Sequence, residues 1–307
     1  HDEVLYRDRQ GERLSIPQAE RYSSKDWVHN IVTMPSSIIL NRIKMPVMFQ
    51  MGWAALVALV HAFTHFAGLS MKPATLLGSA LGLLLVFRTN AAYQRFWEGR
   101  KIWEDLLNLC RDMSRMCVLY TDVIGARGVQ RISNLLCAFP IILQEHLQGF
   151  KHPAVWSSLL EAAEAEELAK THVNRPLWVA NKLGKEVRKI TYGDDWTSRE
   201  RLALLTIVTK LSNCIGSCER LVQTPVPLHY VRHTSRFLTI WCSMLPLMIV
   251  SELGFMTVPM MALVTWALFG IQEIGLLIED PFQRTLKLEI IANTIFADVM
   301  SAIGETD

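Results

Sequence analysis

Residues 73–103 read PATLLGSALGLLLVF and then, without interruption, RTNAAYQRFWEGRKIW. The first part is smooth and apolar enough for a lipid interior. The second is charged and aromatic, and its apolar residues recur at helical spacing: Tyr93, Trp97, Trp103, Leu106, Leu107, Cys110, Met113 and Cys117. Nothing between Pro73 and about Val123 breaks a helix, and Gly125 and Gly128 mark its end. One rod on the order of 75 Å long at 1.5 Å per residue is therefore expected, beginning in a bilayer and emerging into water.

The rest of the chain agrees with a membrane setting. Half of its 307 residues are hydrophobic, and mean hydropathy is +0.21, less polar than a soluble domain of this size. A bilayer core requires ~20 mostly apolar residues as helix. Four stretches meet that need: 45–66, 73–93, 237–253 and 255–278, the last two carrying Pro246 and Pro259. A soluble bundle with very apolar core helices is the alternative. Arg42 and Lys44 precede the first span, Arg88, Arg95, Arg100 and Lys101 follow the second, and Arg232 and Arg236 precede the third. Arg284 and Lys287 follow the fourth. The positive-inside bias then places both termini and the long middle segment on one side.

The expected architecture is all-α, a single unit running over 1–307. Residues 1–44 form a polar arm with an amphipathic piece over 27–43. Membrane helices 1 and 2 fill 45–98, and a soluble helical region fills 99–235. Membrane helices 3 and 4 fill 236–280, and 281–307 form a C-terminal helix. In the soluble region, helices are expected over 129–150 with a kink or interruption at Pro140, over 155–171, over 175–190, and from about Arg199 to Val222. Thr197 or Ser198 caps the last of these, with Glu200 in a box-like arrangement. The first residues are polar and mixed in charge, unlike a secretory signal, and a removed transit peptide is expected instead.

Candidate chemistry is sparse. The net charge of +2 names no partner, and the dispersed basic residues argue against nucleic acid. No P-loop, Rossmann glycine pattern, GxSxG or catalytic Cys–His signature is present, and no enzyme activity or cofactor is expected. The six cysteines form no CxxC and read as small packing residues in a reducing compartment. His61 and His65, and His229 and His233, are four apart, a spacing that can hold a metal or haem but that helices produce often by chance. Glu273 in the fourth span is a carboxylate at membrane depth, functional by default, with an interfacial position as the plain alternative. Asp280 before Pro281 reads as a helix cap. Ser79, Leu83 and Phe87 share one face of the second span, and Gly78, Ala80 and Gly82 suit close packing.

At Arg88-Thr-Asn, Tyr93, Arg95-Phe-Trp97 and Arg100-Lys-x-Trp103 the chain resembles the bestrophin family of anion channels. Ile278-Glu-Asp-Pro-Phe282 is a second match, and Pro227-Leu-His-Tyr230 a weaker third. The likeness covers nearly the whole chain and is greatest to the plant branch, the voltage-dependent chloride channels of the thylakoid membrane. The resemblance implies a homopentamer around one pore for chloride and other monovalent anions, in contact with membrane lipid. It implies a hydrophobic neck at Phe87, Leu83 and Ser79, counting back from Arg95, with Ser79 departing from the family's apolar pattern. It places a second constriction at Leu202. Arg88 and Arg95 would attract anions at the mouth. The calcium-binding side chains of some family members are replaced here by Leu277, Thr285 and Leu288, with only Asp280 keeping an oxygen, so no calcium clasp of that type is expected. No span carries the repeated arginines of a voltage sensor. Two other readings stay open at this point: a histidine-ligated redox protein, and a proton-coupled transporter using Glu273.

Overall fold

The computed structural model describes residues 26–65, 67–150, 153–170 and 174–304. The expectations for residues 1–25 lie outside them. Among the described residues regular structure is helical, apart from one isolated bridge between Gly193 and Trp196. The helices are α1 (Trp27–Val32), α2 (Ile38–Thr64), α3 (Lys72–Leu119), α4 (Thr121–Ile124), α5 (Ala126–Gln148), α6 (Pro153–Trp156), α7 (Ala162–Lys170), α8 (Arg175–Lys189), α9 (Ser198–Gln223), α10 (Leu228–Leu253), α11 (Thr257–Glu279) and α12 (Leu288–Gly304). They gather into two compact units, one of His1–Asn90 with Leu228–Leu276, the other of Ala91–Pro227 with Leu277–Asp307.

The expected rod is real. α3 has 48 residues, about 72 Å at 1.5 Å per residue. Its only proline, Pro73, stands at the start, where a missing N–H costs nothing.

In the first unit, α2, α10, α11 and the apolar part of α3 share a core of Leu81, Leu85, Leu238, Cys242, Leu245 and Met261. Some of the polar groups inside it are paired. Gln50 Nε2 donates to Ser243 Oγ at 2.8 Å, and Trp53 Nε1 to the Ser243 carbonyl at 2.7 Å. Trp241 Nε1 donates to the Ala74 carbonyl at 3.1 Å, and a Cβ on Gly78 would meet the same indole at 3.3 Å. Three helical stretches are long and apolar enough to cross a membrane: Ile38–Thr64, Lys72–Leu119 and Leu228–Glu279. The third is a 52-residue run, within which the expected third and fourth spans both fall. A 3-10 turn at Gly254–Met256 divides it into α10 and α11, and Gly254 there takes φ +53, a conformation glycine adopts without steric penalty. At most a third of each apolar window is buried within the chain. The remaining surface requires lipid or other chains as its solvent.

In the second unit α5 is central. Fourteen of its 23 residues are buried, around most of its circumference. The helix expected over 129–150 is present, and it runs through Pro140 without interruption. An interior proline costs about 3 kcal/mol. Here the residues on both sides of it, from Leu135 to Leu143, are themselves buried except Ile141, and their packing holds the helix. The neighbours α8, α9 and α12 close around α5. Within this core Arg175 Nη1 meets Glu145 Oε2 at 2.8 Å, with side chains 7% and 3% exposed, and Trp156 Nε1 donates to the same carboxylate at 3.0 Å. The cap expected before α9 is present: Thr197 and Glu200 form a reciprocal capping box.

All six cysteines are buried free thiols. Burial pushes the Cys137 thiol up to about 12. Burial and then the Asp105 carboxylate push Cys214 to about 11. Both stay protonated at neutral pH, and the thiolate is the reactive form. At pH 8, native protein is expected to resist iodoacetamide and to label rapidly once unfolded, as counted by mass spectrometry. Full labelling of Cys137 in the native protein would contradict this burial. Folded thiols also hold their protons to higher pH than unfolded ones. Alkalinity above about pH 9 therefore favours unfolding.

Candidate functional site

The apolar part of α3 has two different faces. Ala74, Leu81, Leu85 and Arg88 are buried in the first unit, at the spacing of a single helix side. The opposite side carries Ser79, Leu83 and Phe87, all exposed, with Leu83 at 54% and Phe87 at 56%. The three residues expected to share a face do so, and no described residue of the first unit buries them. Ser79 Oγ donates to the Leu76 carbonyl at 2.9 Å. Its hydroxyl proton is thus turned back on the helix, and the departure from an apolar stripe is smaller than the sequence suggests.

Arg88 does not join that face. It is 2% exposed and lies on the packed side, where its Cγ would be 4.0 Å from a Cβ on Gly275. The expectation that Arg88 stands at a mouth is corrected: helical phase turns it away from Phe87 by one residue, about 100°.

Arg95 is also placed differently from its expected role. Its guanidinium donates to three backbone carbonyls: Nε to Glu279 at 3.0 Å, Nη1 to Thr224 at 2.6 Å and Nη2 to Leu221 at 2.5 Å. These carbonyls stand at the C-termini of α11 and α9, where helices leave unsatisfied acceptors and partial negative charge. Arg95 fastens two helix ends together, so its donors are engaged inside the protein.

Around it, two distant stretches of sequence meet. Glu279 Oε1 accepts from the Val226 amide at 3.1 Å, and Gln148 Nε2 donates to the Phe282 carbonyl at 2.6 Å. A Cβ on Gly99 would lie 3.0 Å from Pro281 Cγ and 3.3 Å from the Phe282 ring. Only glycine lets α3 approach this turn so closely. Asp280 accepts from the Phe282 amide at 3.2 Å and caps the turn Pro281–Thr285, as its position before proline implied. The Thr285 hydroxyl donates to the Leu277 carbonyl at 2.9 Å. On α3 in the second unit, Gln94, Trp97, Lys101, Asp105 and Asn108 follow at helical spacing as an exposed face.

Leu202 is the fifth residue of α9, just past its first turn, and is 65% exposed. Thr206 and Thr209 continue its face, and their hydroxyls donate back to the Leu202 and Leu205 carbonyls at 2.7 and 3.0 Å. Glu273 is not a lone carboxylate: Oε1 accepts from Arg42 Nη1 at 2.9 Å. His65 ends α2 in a left-handed conformation, φ 52, whereas His61 is helical, and His229 and His233 are both exposed. Among the described residues no three His, Cys, Asp or Glu side chains gather as metal ligands. The ion pairs Arg42–Glu273 and Glu145–Arg175 had no local sequence signal, since their partners are far apart in the chain.

The family model for bacterial and fungal bestrophins matches residues 19–301. The chain belongs to the bestrophin family. A voltage-dependent anion channel-forming protein of Synechocystis sp. is 30% identical over 293 residues, covering 92% of this chain and 93% of that one. The chloroplastic voltage-dependent chloride channel 1 of Arabidopsis thaliana is 29% identical, covering 98% and 76%. A bacterial bestrophin homolog from Klebsiella pneumoniae superposes with a TM-score of 0.79 at 23% identity, covering 85% of this chain and 98% of that one. The all-helical bestrophin fold expected from the motifs is therefore present. Within this bestrophin the recognised motifs at Arg95–Trp103 and Ile278–Phe282 are the two sides of the helix-end knot.

Proposed function

We propose that this bestrophin is a membrane channel, not an enzyme, and that it passes chloride and other monovalent anions through a central neck formed by several copies of the chain. The supporting observation is the two-sided α3: one side is packed in its own unit, while Ser79, Leu83 and Phe87 stand bare on the other. A homopentamer, as in the family resemblance, turns that stripe toward a shared axis. α10 and α11 act as the third and fourth crossings, with the break at Gly254–Met256 between them. The relatives' names support voltage-dependent gating and, through the plant relative, a chloroplast location; the thylakoid membrane is the site that the family resemblance implies. With no sensor helix in the sequence, voltage acts on ion occupancy or on rearrangement of the neck.

Aromatic rings carry a positive edge. Phe87 rings turned edge-on favour an anion that has shed part of its water. With Arg88 buried and Arg95 engaged, the first exposed base on α3 after the neck is Lys101. It raises local anion concentration in a salt-sensitive way. Leu202 at the start of α9 forms the second constriction, where the helix N-terminus adds partial positive charge. The proton-coupled reading loses ground because Glu273 is held by Arg42.

Reconstitution in a planar bilayer with asymmetric chloride tests the reading. The reversal potential is expected near the chloride equilibrium value, and one near the cation value would overturn it. Phe87→Ala is expected to shift the nitrate-to-chloride permeability ratio by about twofold or more, the effect of roughly 0.5 kcal/mol of ring–anion interaction. An unchanged ratio counts against the neck assignment.

A further inference from the structure

A groove of about 730 Å³ runs in the first unit between the segment before α2 and the face of α11. Its floor is apolar: Ile39, Trp266, Ala267, Gly270, Ile271 and Ile274. Its other end is lined by Asn30, Thr33, Ser36 and Ser37, neutral amide and hydroxyl groups. No lining residue carries a charge. At Gly270 the floor is only backbone, and a Cβ there would lie in ordinary contact with Ile39 at 3.9 Å and Ile43 at 4.0 Å.

We infer that this groove holds one acyl chain of a membrane lipid whose headgroup is uncharged and rich in hydroxyls. Three features carry the assignment. First, the floor belongs to α11, part of a stretch apolar enough to cross a membrane, and Ala267, Ile271 and Ile274 form an exposed stripe along it. The molecule at high concentration beside such a stripe is lipid. Second, α1 is apolar yet has no buried residue; Trp27, Val28, Ile31 and Val32 are all exposed. A short helix of that kind, with its tryptophan, suits the interface plane. That puts the hydroxyl-lined end at headgroup depth and the isoleucines at acyl depth. Third, among the described residues that line the headgroup end there is no base to meet a phosphate. The nearby Arg42 is committed to Glu273 at 2.9 Å. Burying a phosphate there would leave its charge unpaired. A sugar or glycerol hydroxyl finds partners in Asn30 and Ser37. The volume lies in the range of single small-molecule sites.

The site is independent of ion selectivity, so a failed chloride recording and a failed lipid measurement are separate results. The test is native mass spectrometry of the full assembly, delipidated in detergent and titrated with monoglycosyl diacylglycerol or with phosphatidylglycerol. One retained glycolipid per chain is expected, with at least tenfold preference over the anionic lipid. Ala267→Phe fills the floor from an exposed position and is expected to reduce adducts at least tenfold while leaving the assembly's mass unchanged. Leu59→Phe, on α2 outside the groove, is expected to bind like the parent chain. Asn30→Ala is expected to weaken the headgroup preference without abolishing binding. Equal adducts in the Ala267→Phe and parent proteins, or preference for the anionic lipid, would overturn the assignment. So would loss of the assembly in Ala267→Phe, which would give the groove to a neighbouring copy. A parent chain that takes up no lipid overturns it too, and leaves the groove to residues 1–25.

Discussion

Arg95→Ala is expected to destabilise the protein by about 3 kcal/mol or more and to abolish channel current. The guanidinium satisfies carbonyls of Leu221, Thr224 and Glu279, and hydrogen bonds to a charged group are worth ~1.5–3 kcal/mol each. The site is half-buried, so water replaces part of the loss and the full sum does not apply. For a unit of this size ~3 kcal/mol corresponds to a fall in Tm of about 6–12 °C, readable by fluorescence-detected gel filtration after heating. Arg95→Lys separates the clamp from a plain charge. An ammonium keeps the charge but cannot match three carbonyls with a planar fork. The clamp therefore requires Lys to behave much like Ala in stability. If Lys restores both Tm and current, Arg95 acts as a mouth charge after all.

Arg175→Ala has the second large effect, about 3–5 kcal/mol, because it breaks a buried ion pair by taking the guanidinium from the Glu145 carboxylate. Trp156 Nε1 still donates to that carboxylate, but a neutral donor does not compensate a full charge. The paired change Glu145→Gln with Arg175→Met is expected to recover most of the loss, since removing both charges removes the desolvation cost as well. A double variant no more stable than Arg175→Ala would mean that the pair itself, and not the cost of one buried charge, carries the energy.

These two arginines show where residue-level reading stops. Arg95 was recognisable as part of a motif, and its role as a mouth charge followed from its position after an apolar helix. The partners that engage it lie 126 to 184 residues away, at helix ends whose meeting no local pattern reveals. Arg175 has no motif at all. Arg88 failed for a narrower reason. It follows Phe87 directly, and adjacent residues on a helix point about 100° apart, so the two do not share one face. That Arg88 is the packed one follows from tracing the buried side through Leu81 and Leu85. Pro140 does not interrupt its helix, because buried neighbours offset the lost hydrogen bond that a propensity argument sees alone. Capping was read correctly at Thr197, Glu200 and Asp280, since a cap involves residues two or three apart and nothing else.

The amino-acid order alone determined the long helix, the apolar membrane stretches, the shared face of residues 79, 83 and 87, and the family, because each depends on periodicity or on neighbours along the chain. Tertiary structure alone decided which arginines face outward, how Gly99 lets α3 meet the Pro281 turn, that Glu273 is paired, and that a groove opens beside α11. Those outcomes depend on which distant groups come within 3 to 4 Å, and a hydrogen bond or ion pair of that range leaves no trace in the spacing of either partner.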